Sequence, residues 1–173
     1  SKTMNEVIKL IGEDDSFIKL SIGRRHIIFD TGDYVIISRL LEGEFLDYHS
    51  AVPTLTTTVI RVGTKELIDV IERTSIIITE KTRSPIRFIV DNGIIKVSAV
   101  TALGSASDRI EASVSGKRLE IGFNNRFFLD ALRSCDTDEV LINLNGPVSP
   151  AVILPPEGSD FLYLVLPVRI KND

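Results

Sequence analysis

The residues whose types could do chemistry are Asp30-Thr31-Gly32-Asp33, the pair His49-Ser50 and the single cysteine, Cys135. A carboxylate in an Asp-Thr-Gly loop activates water when two such loops face each other and share a proton. One copy would therefore need a homodimer. Aspartate and glycine are also what a tight turn between two strands requires, since both tolerate turn conformations, and the segment reads as such a turn. His49 beside Ser50 has no carboxylate placed by a recognisable motif to orient the imidazole, so the third member of a triad is missing. His26 and His49 are the only imidazoles, and with one thiol they offer no zinc-ligand spacing and no internal disulfide. No phosphate-cradling glycine loop ending in Lys-Ser/Thr occurs, nor a dinucleotide fingerprint. The sequence offers no catalytic constellation and calls for no cofactor or metal.

Charge is the next candidate. Lys2, Lys9, Arg73, Lys81, Arg83, Arg126 and Arg133 lie on or just after three segments of helical periodicity. Gathered on one side they would suit sequence-independent contact with phosphates. Glu6, Glu66, Asp69, Glu72 and Asp130 share the same helices, so a mixed solvated face fits the pattern equally well. A net charge of −4 argues against a chain coated in basic residues but not against a local basic surface. With 43% apolar and 25% charged residues and no run long enough for a membrane-spanning helix, the composition predicts a soluble, cytoplasmic globular protein.

These residues must be positioned by regular elements. Met4, Val7, Ile8 and Ile11 have the spacing of an amphipathic helix ended by Gly12, followed by short strands over 18–22, 26–29 and 34–37. Residues 41–57 read as a loop and domain linker, with a boundary near Leu55. A strand over 59–62 precedes a second helix, capped by Thr64 and carrying Leu67, Ile68, Val70 and Ile71. Asn92-Gly93 predicts a hairpin between strands 86–90 and 94–99. A second pair, 109–114 and 119–123, flanks Ser115-Gly116-Lys117. A third helix starts after Asn124 or Asn125 and turns Phe128, Leu129 and Leu132 inward, and strands 140–144, 151–154 and 160–170 follow. The helices start near Thr3, Lys65 and Arg126, 62 and then 61 residues apart, which is an internal repeat. Each unit is a β-α-β-β-β module whose neighbours must stack to bury their apolar faces. The fold class is α+β. The first unit lacks a leading strand and a partner unit, so the chain is expected to begin inside a domain of a longer protein.

The last strand, 160–170, is apolar on both faces: Leu162, Leu164, Leu166 and Val168 on one, Phe161, Tyr163, Val165 and Pro167 on the other. Either it is a central strand covered on both sides, or one face lines a groove for a partner. Pro167 favours the groove, because a residue without an N–H is confined to edges, strand ends and bulges.

Several segments together resemble the bacterial DNA polymerase III β subunit family, the replicative sliding clamps. They are Leu119-Glu-Ile-Gly-Phe-Asn-Asn-Arg-Phe-Phe-Leu-Asp-Ala-Leu132, Gly146-Pro-Val-Ser-Pro-Ala-Val-Ile153, Tyr163-Leu-Val-Leu-Pro-Val-Arg-Ile170, and Gly43-Glu-Phe-Leu-Asp-Tyr48 with Pro53. The resemblance implies the DNA clamp fold, with repeated modules, helices on one side and antiparallel sheets on the other. Residues 1–55 would be the second half of the middle domain and 56–173 the complete C-terminal domain. It further implies a non-catalytic subunit that, as a full-length homodimer ring, encircles duplex DNA. The polymerase III alpha subunit and the clamp loader would be tethered through short peptides, a glutamine followed by leucine and an aromatic.

Carried over by position, the implied peptide groove comprises Leu46 and Ala51, Asn124 and Phe127, Val148 and Pro150, and Leu164, Leu166, Pro167, Val168 and Arg169. The basic residues named above would face DNA, and Ile76 and Ile77 would lie at the subunit contact. The family usually has proline at the position of Leu46 and a basic residue at that of Ser50. The alternatives are an aspartic-protease-like homodimeric enzyme using Asp30 and a generic β-rich interaction module.

Overall fold

The structure, a computed structural model, describes residues 2–11, 17–44, 47–79 and 84–170. Gly12, Leu46, Lys81 and Arg83, all singled out above, lie outside the described residues. The chain forms two compact units, Ser1–Asp47 and Tyr48–Asp173. Among the described residues no helix is long and apolar enough to cross a membrane.

In the first unit, helix α1 (Lys2–Leu10) precedes an antiparallel sheet of β1 (Lys19–Ile22), β2 (His26–Asp30) and β3 (Val35–Arg39), in that order. Among the described residues of this unit, Val7 and Phe29 are buried. The Thr3 and Ser38 hydroxyls meet at 2.9 Å and tie α1 to β3. The Asp30-Thr31-Gly32-Asp33 segment is the β2–β3 turn. Gly32 N–H donates to Asp30 Oδ1 at 3.0 Å, and Thr31 N–H donates to the Tyr34 carbonyl at 3.0 Å. The carboxylate thus serves its own turn.

The second unit starts with a short helix, α2 (Tyr48–Ala51), inside the stretch expected to be a loop; four residues are too few to show a helical period. Then come β4 (Thr58–Gly63), α3 (Thr64–Ser75), β5 (Ile86–Asp91), β6 (Ile94–Thr101), β7 (Gly104–Glu111) and β8 (Ser113–Gly116). The second module supplies β9 (Leu119–Phe123), α4 (Asn125–Arg133), β10 (Glu139–Leu144), β11 (Ala151–Leu154), β12 (Tyr163–Val165) and β13 (Pro167–Val168). The helices begin at Lys2, Thr64 and Asn125, which keeps the spacing of 62 and 61 residues.

The strands form two antiparallel sheets, ordered β12-β11-β10-β4-β8 and β13-β9-β5-β6-β7. Each sheet takes three consecutive strands from one module and the leading and final strands of the other. Strands β4, β5 and β10 alternate buried with half-buried or exposed residues, as strands with one core face should. Helix α3 buries Leu67, Val70, Ile71 and Thr74 at the spacing of one helical face. Phe88 of β5, Phe123 of β9 and Phe128 of α4 form a closed triangle, with ring centroids 5.5, 5.0 and 4.8 Å apart. This cluster joins the two modules.

Several expectations are corrected. Asn92-Gly93 does form the β5–β6 turn, with positive φ at both residues (45° and 77°) as a type I′ hairpin requires. The second expected hairpin, around Ser115-Gly116-Lys117, does not exist: β8 pairs with β4 and β9 with β5, in different sheets. Thr58 Oγ1 donates to the Lys117 carbonyl at 2.8 Å and holds the crossing segment on β4. The expected strand 109–114 is divided at Ala112 between β7 and β8. Most of β7 was not anticipated, because Ser105 and Ser107 give it little apolar alternation. Thr64 is not the cap of α3. Gly63 occupies that position, and the Thr64 hydroxyl donates instead to the Thr137 carbonyl at 2.7 Å. Asn124 caps α4 as expected, accepting from Arg126 N–H at 3.0 Å.

The terminal strand is also corrected: it is neither continuous nor central. It breaks at Leu166 into β12, at the edge of one sheet, and β13, at the edge of the other. Both edges are compatible with Pro167, which has no N–H to donate.

Phe128→Ala empties the centre of the aromatic triangle. It is expected to lower stability by about 3–5 kcal/mol, read by urea denaturation. Phe127→Ala, at a 65% exposed neighbour, should stay within about 0.5 kcal/mol of the parent.

Candidate functional site

The sheet switch at Leu166 organises the C-terminal surface. The β11–β12 ladder ends at the pair Ala151 and Val165, immediately before Leu166. The β9–β13 ladder begins at the pair Phe123 and Pro167, immediately after Leu166 and before the Asn124 cap of α4. Leu166 therefore sits between the start of α4 and the loop before β11, and it is 70% exposed. Gly122 permits the close approach of β13, since a Cβ there would lie 2.7 Å from the Val168 carbonyl oxygen.

Around this point the expected groove residues separate by role. Phe127 and Val148 are 65% and 74% exposed, and Val168 is exposed at the end of β13. Asn124, Pro150, Leu164 and Pro167 are half-buried; Arg169 and Ala51 are exposed. The Asn124 side chain already serves α4 as its cap. Leu162, 40% exposed, shares the alternation of Leu164 and Leu166. It was not among the expected lining residues, although the spacing of two marked it. Apolar side chains standing open on a sheet edge, beside a helix start, form a surface able to bury the side chains of an extended partner.

The basic residues are more constrained than their sequence positions suggest. Lys9 pairs with Glu6 at 3.0 Å, Arg73 with Asp108 at 2.8 Å, and Arg133 of α4 with Glu72 of α3 at 2.7 Å. The Arg73 hydrogen bond, helped by the Arg109 backbone N–H, holds the Asp108 carboxyl below the usual carboxylate range. All these pairs are substantially exposed, so each adds little stability. Lys2 and Arg126 are exposed on α1 and α4. Ile76 and Ile77 follow α3 in a turn rather than a strand; Ile76 is 79% exposed, and Ile77 is half-buried. Among the described residues no group of three or more His, Cys, Asp or Glu could hold a metal ion.

Comparison with known proteins adds a decisive observation. Residues 49–169 match the family described as the DNA polymerase III beta subunit, C-terminal domain. The chain belongs to the DNA polymerase III beta subunit family. It is 30% identical over 170 residues to the beta sliding clamp of Pseudomonas aeruginosa, a match covering 98% of this chain and 46% of that protein. The sliding clamp structure from Bacillus subtilis superposes with a TM-score of 0.87 at 26% identity, over 98% of this chain and 46% of that one. The Bartonella birtlesii clamp, solved bound to griselimycin, gives 0.86 at 29% identity, again over 98% and 46%. The chain thus spans less than half the length of the curated relatives it matches. Its fold is the sliding clamp fold, and the Asp30 turn carries no support for the protease alternative.

Cys135 stands apart from this surface. Burial, and then the neighbouring Asp136 charge, push its thiol up to about 11, and Sγ lies 3.3 Å from the Ala131 carbonyl. Because the thiolate is the reactive form, disulfide exchange with an aromatic disulfide reagent at pH 8 should run roughly 100-fold slower in the folded protein than in urea.

Proposed function

We propose that this chain is the part of a sliding clamp that presents the peptide-docking surface, and that within the complete ring it contributes to encircling duplex DNA. Residues 1–55 then correspond to the second half of the middle domain and 56–173 to the C-terminal domain. The role is non-catalytic, with polymerase III alpha subunit and clamp loader as peptide-bearing partners. The observation that supports this reading is Leu166, left exposed where the last strand passes from one sheet to the other, between Val165 paired with Ala151 and Pro167 paired with Phe123.

An apolar surface of this kind gains about 25 cal/mol per Å² of area buried. Ordering a flexible peptide offsets much of that gain, so micromolar affinity is expected. Calorimetric titration with a Gln-Leu-aromatic peptide tests it. Leu166→Ala and Val168→Ala should each weaken binding about tenfold, equivalent to about 1.4 kcal/mol. Asn124→Ala should do less, and Asp30→Asn nothing. Unchanged affinity in both strand variants, in a folded protein, would falsify the assignment.

Ring closure in the family pairs unlike domains of two subunits, with Ile76 and Ile77 on one side of the contact. These 173 residues by themselves should therefore sediment as a monomer. A stable closed dimer indifferent to Ile77→Asp would count against that placement.

A further inference from the structure

Three of the helix cations expected to meet DNA, Lys9, Arg73 and Arg133, are engaged in ion pairs, whereas two adjacent arginines elsewhere, Arg24 and Arg25, have no acidic partner among the described residues. Gly23, Arg24 and Arg25 link β1 to β2. Gly23 N–H donates to the His26 carbonyl and Leu40 N–H to the Arg25 carbonyl, both at 2.8 Å, so this link is fastened to the segment leaving β3. Arg39 is opposite His26 in the ladder. The result is an open depression of about 400 Å³ lined by Arg24, Arg25, Arg39 and residues 40–43. Glu42 is the one acidic residue lining it, and it pairs with Arg39 at 2.7 Å. Among the described residues neither Arg24 nor Arg25 has an acidic partner. Three guanidinium groups thus share one carboxylate in a protein whose net charge is −4. Guanidinium is the cation whose planar fork matches phosphate oxygens in pairs.

We propose that the depression formed by Arg24, Arg25 and Arg39 is a phosphate site that holds the backbone of DNA. The inference rests on the clamp reading and adds a contact on the turn side of a sheet to those expected from helices. Backbone contact of this kind carries no sequence information and is strongly salt-dependent. Glu42 limits its strength by competing for Arg39, leaving Arg24 and Arg25 as the residues that gain most from a phosphate.

The test is fluorescence anisotropy of a labelled duplex titrated with the parent, with Arg24→Ala/Arg25→Ala, and with the charge-matched control Lys96→Ala/Lys117→Ala. Each is measured from 50 to 200 mM salt. Loss of two phosphate contacts should reduce the slope of log affinity against log salt by about 2 and weaken binding roughly tenfold at the lowest salt. The control should change neither to that extent. An equal effect in the control, an unchanged slope, or a parent that does not bind duplex overturns the proposal. Calorimetry with inorganic pyrophosphate separates the sources of phosphate. If pyrophosphate binding is lost in the arginine variant while duplex affinity is kept, the site takes a small anion and the DNA assignment falls. Peptide binding at Leu166 uses the other unit, so its persistence after a negative result removes only the arginine site. Its loss removes the clamp reading as well.

Discussion

The constraint on which the rest of the second unit depends is the exchange of leading strands. Strand β4 begins the first module but lies beside β10 of the second, while β9 begins the second and lies beside β5 of the first. A β-α-β-β-β module has too few strands to cover its own apolar face. Exchange supplies cover in both directions and fuses the cores. The three phenylalanines, one from the first module and two from the second, occupy the seam, and the Arg133–Glu72 pair bridges the two helices above it. Neither module retains a complete sheet if the other is removed.

The same constraint accounts for the candidate site. To add a final strand at the edge of each sheet, the chain must cross between sheets after β7 and again after β12. Both crossings take a single residue, Ala112 in the first case and Leu166 in the second. Ala112 is small and half-buried, packed against the core, whereas Leu166 is large and exposed. Repeat-related positions therefore differ in what they offer a partner. The second crossing is flanked by the widely open side chains of Phe127 and Val148, 65% and 74% exposed, whereas Ile94 beside the first is 38% exposed.

Helices were legible in the sequence because their apolar residues recur at three and four positions, and the repeat was legible because the helices recur. Asn92-Gly93 announced its turn by chemistry alone. Strand partners were not legible, since alternation reports which face of a strand is apolar and not which strand lies beside it. For that reason 109–114 was read as one strand, and 115–117 as a hairpin loop, although the chain changes sheet there. The break at Leu166 was hidden in the same way: apolar residues continue on both sides of it, and only Pro167 hinted at an edge. The groove residues came from family likeness rather than from periodicity. The arginine depression leaves a fainter trace, the adjacent Arg24 and Arg25 at a turn, because nothing in the sequence places Arg39 beside them.

Strand exchange also bears on how the protein is made. Strand β4 pairs with β10 across 76 to 86 residues of sequence. At a synthesis rate of about 5–20 residues per second, β4 leaves the ribosome roughly 4 to 17 s before β10 exists, with the short edge strand β8 its only earlier neighbour. During that interval Ile60 and Val62, fully covered in the finished fold, lack the β10 strand that flanks them on the other side in the sheet. Nascent chains of this architecture must pass through a period in which an apolar strand waits for its neighbour, and that wait makes them natural clients for chaperones that bind extended apolar segments.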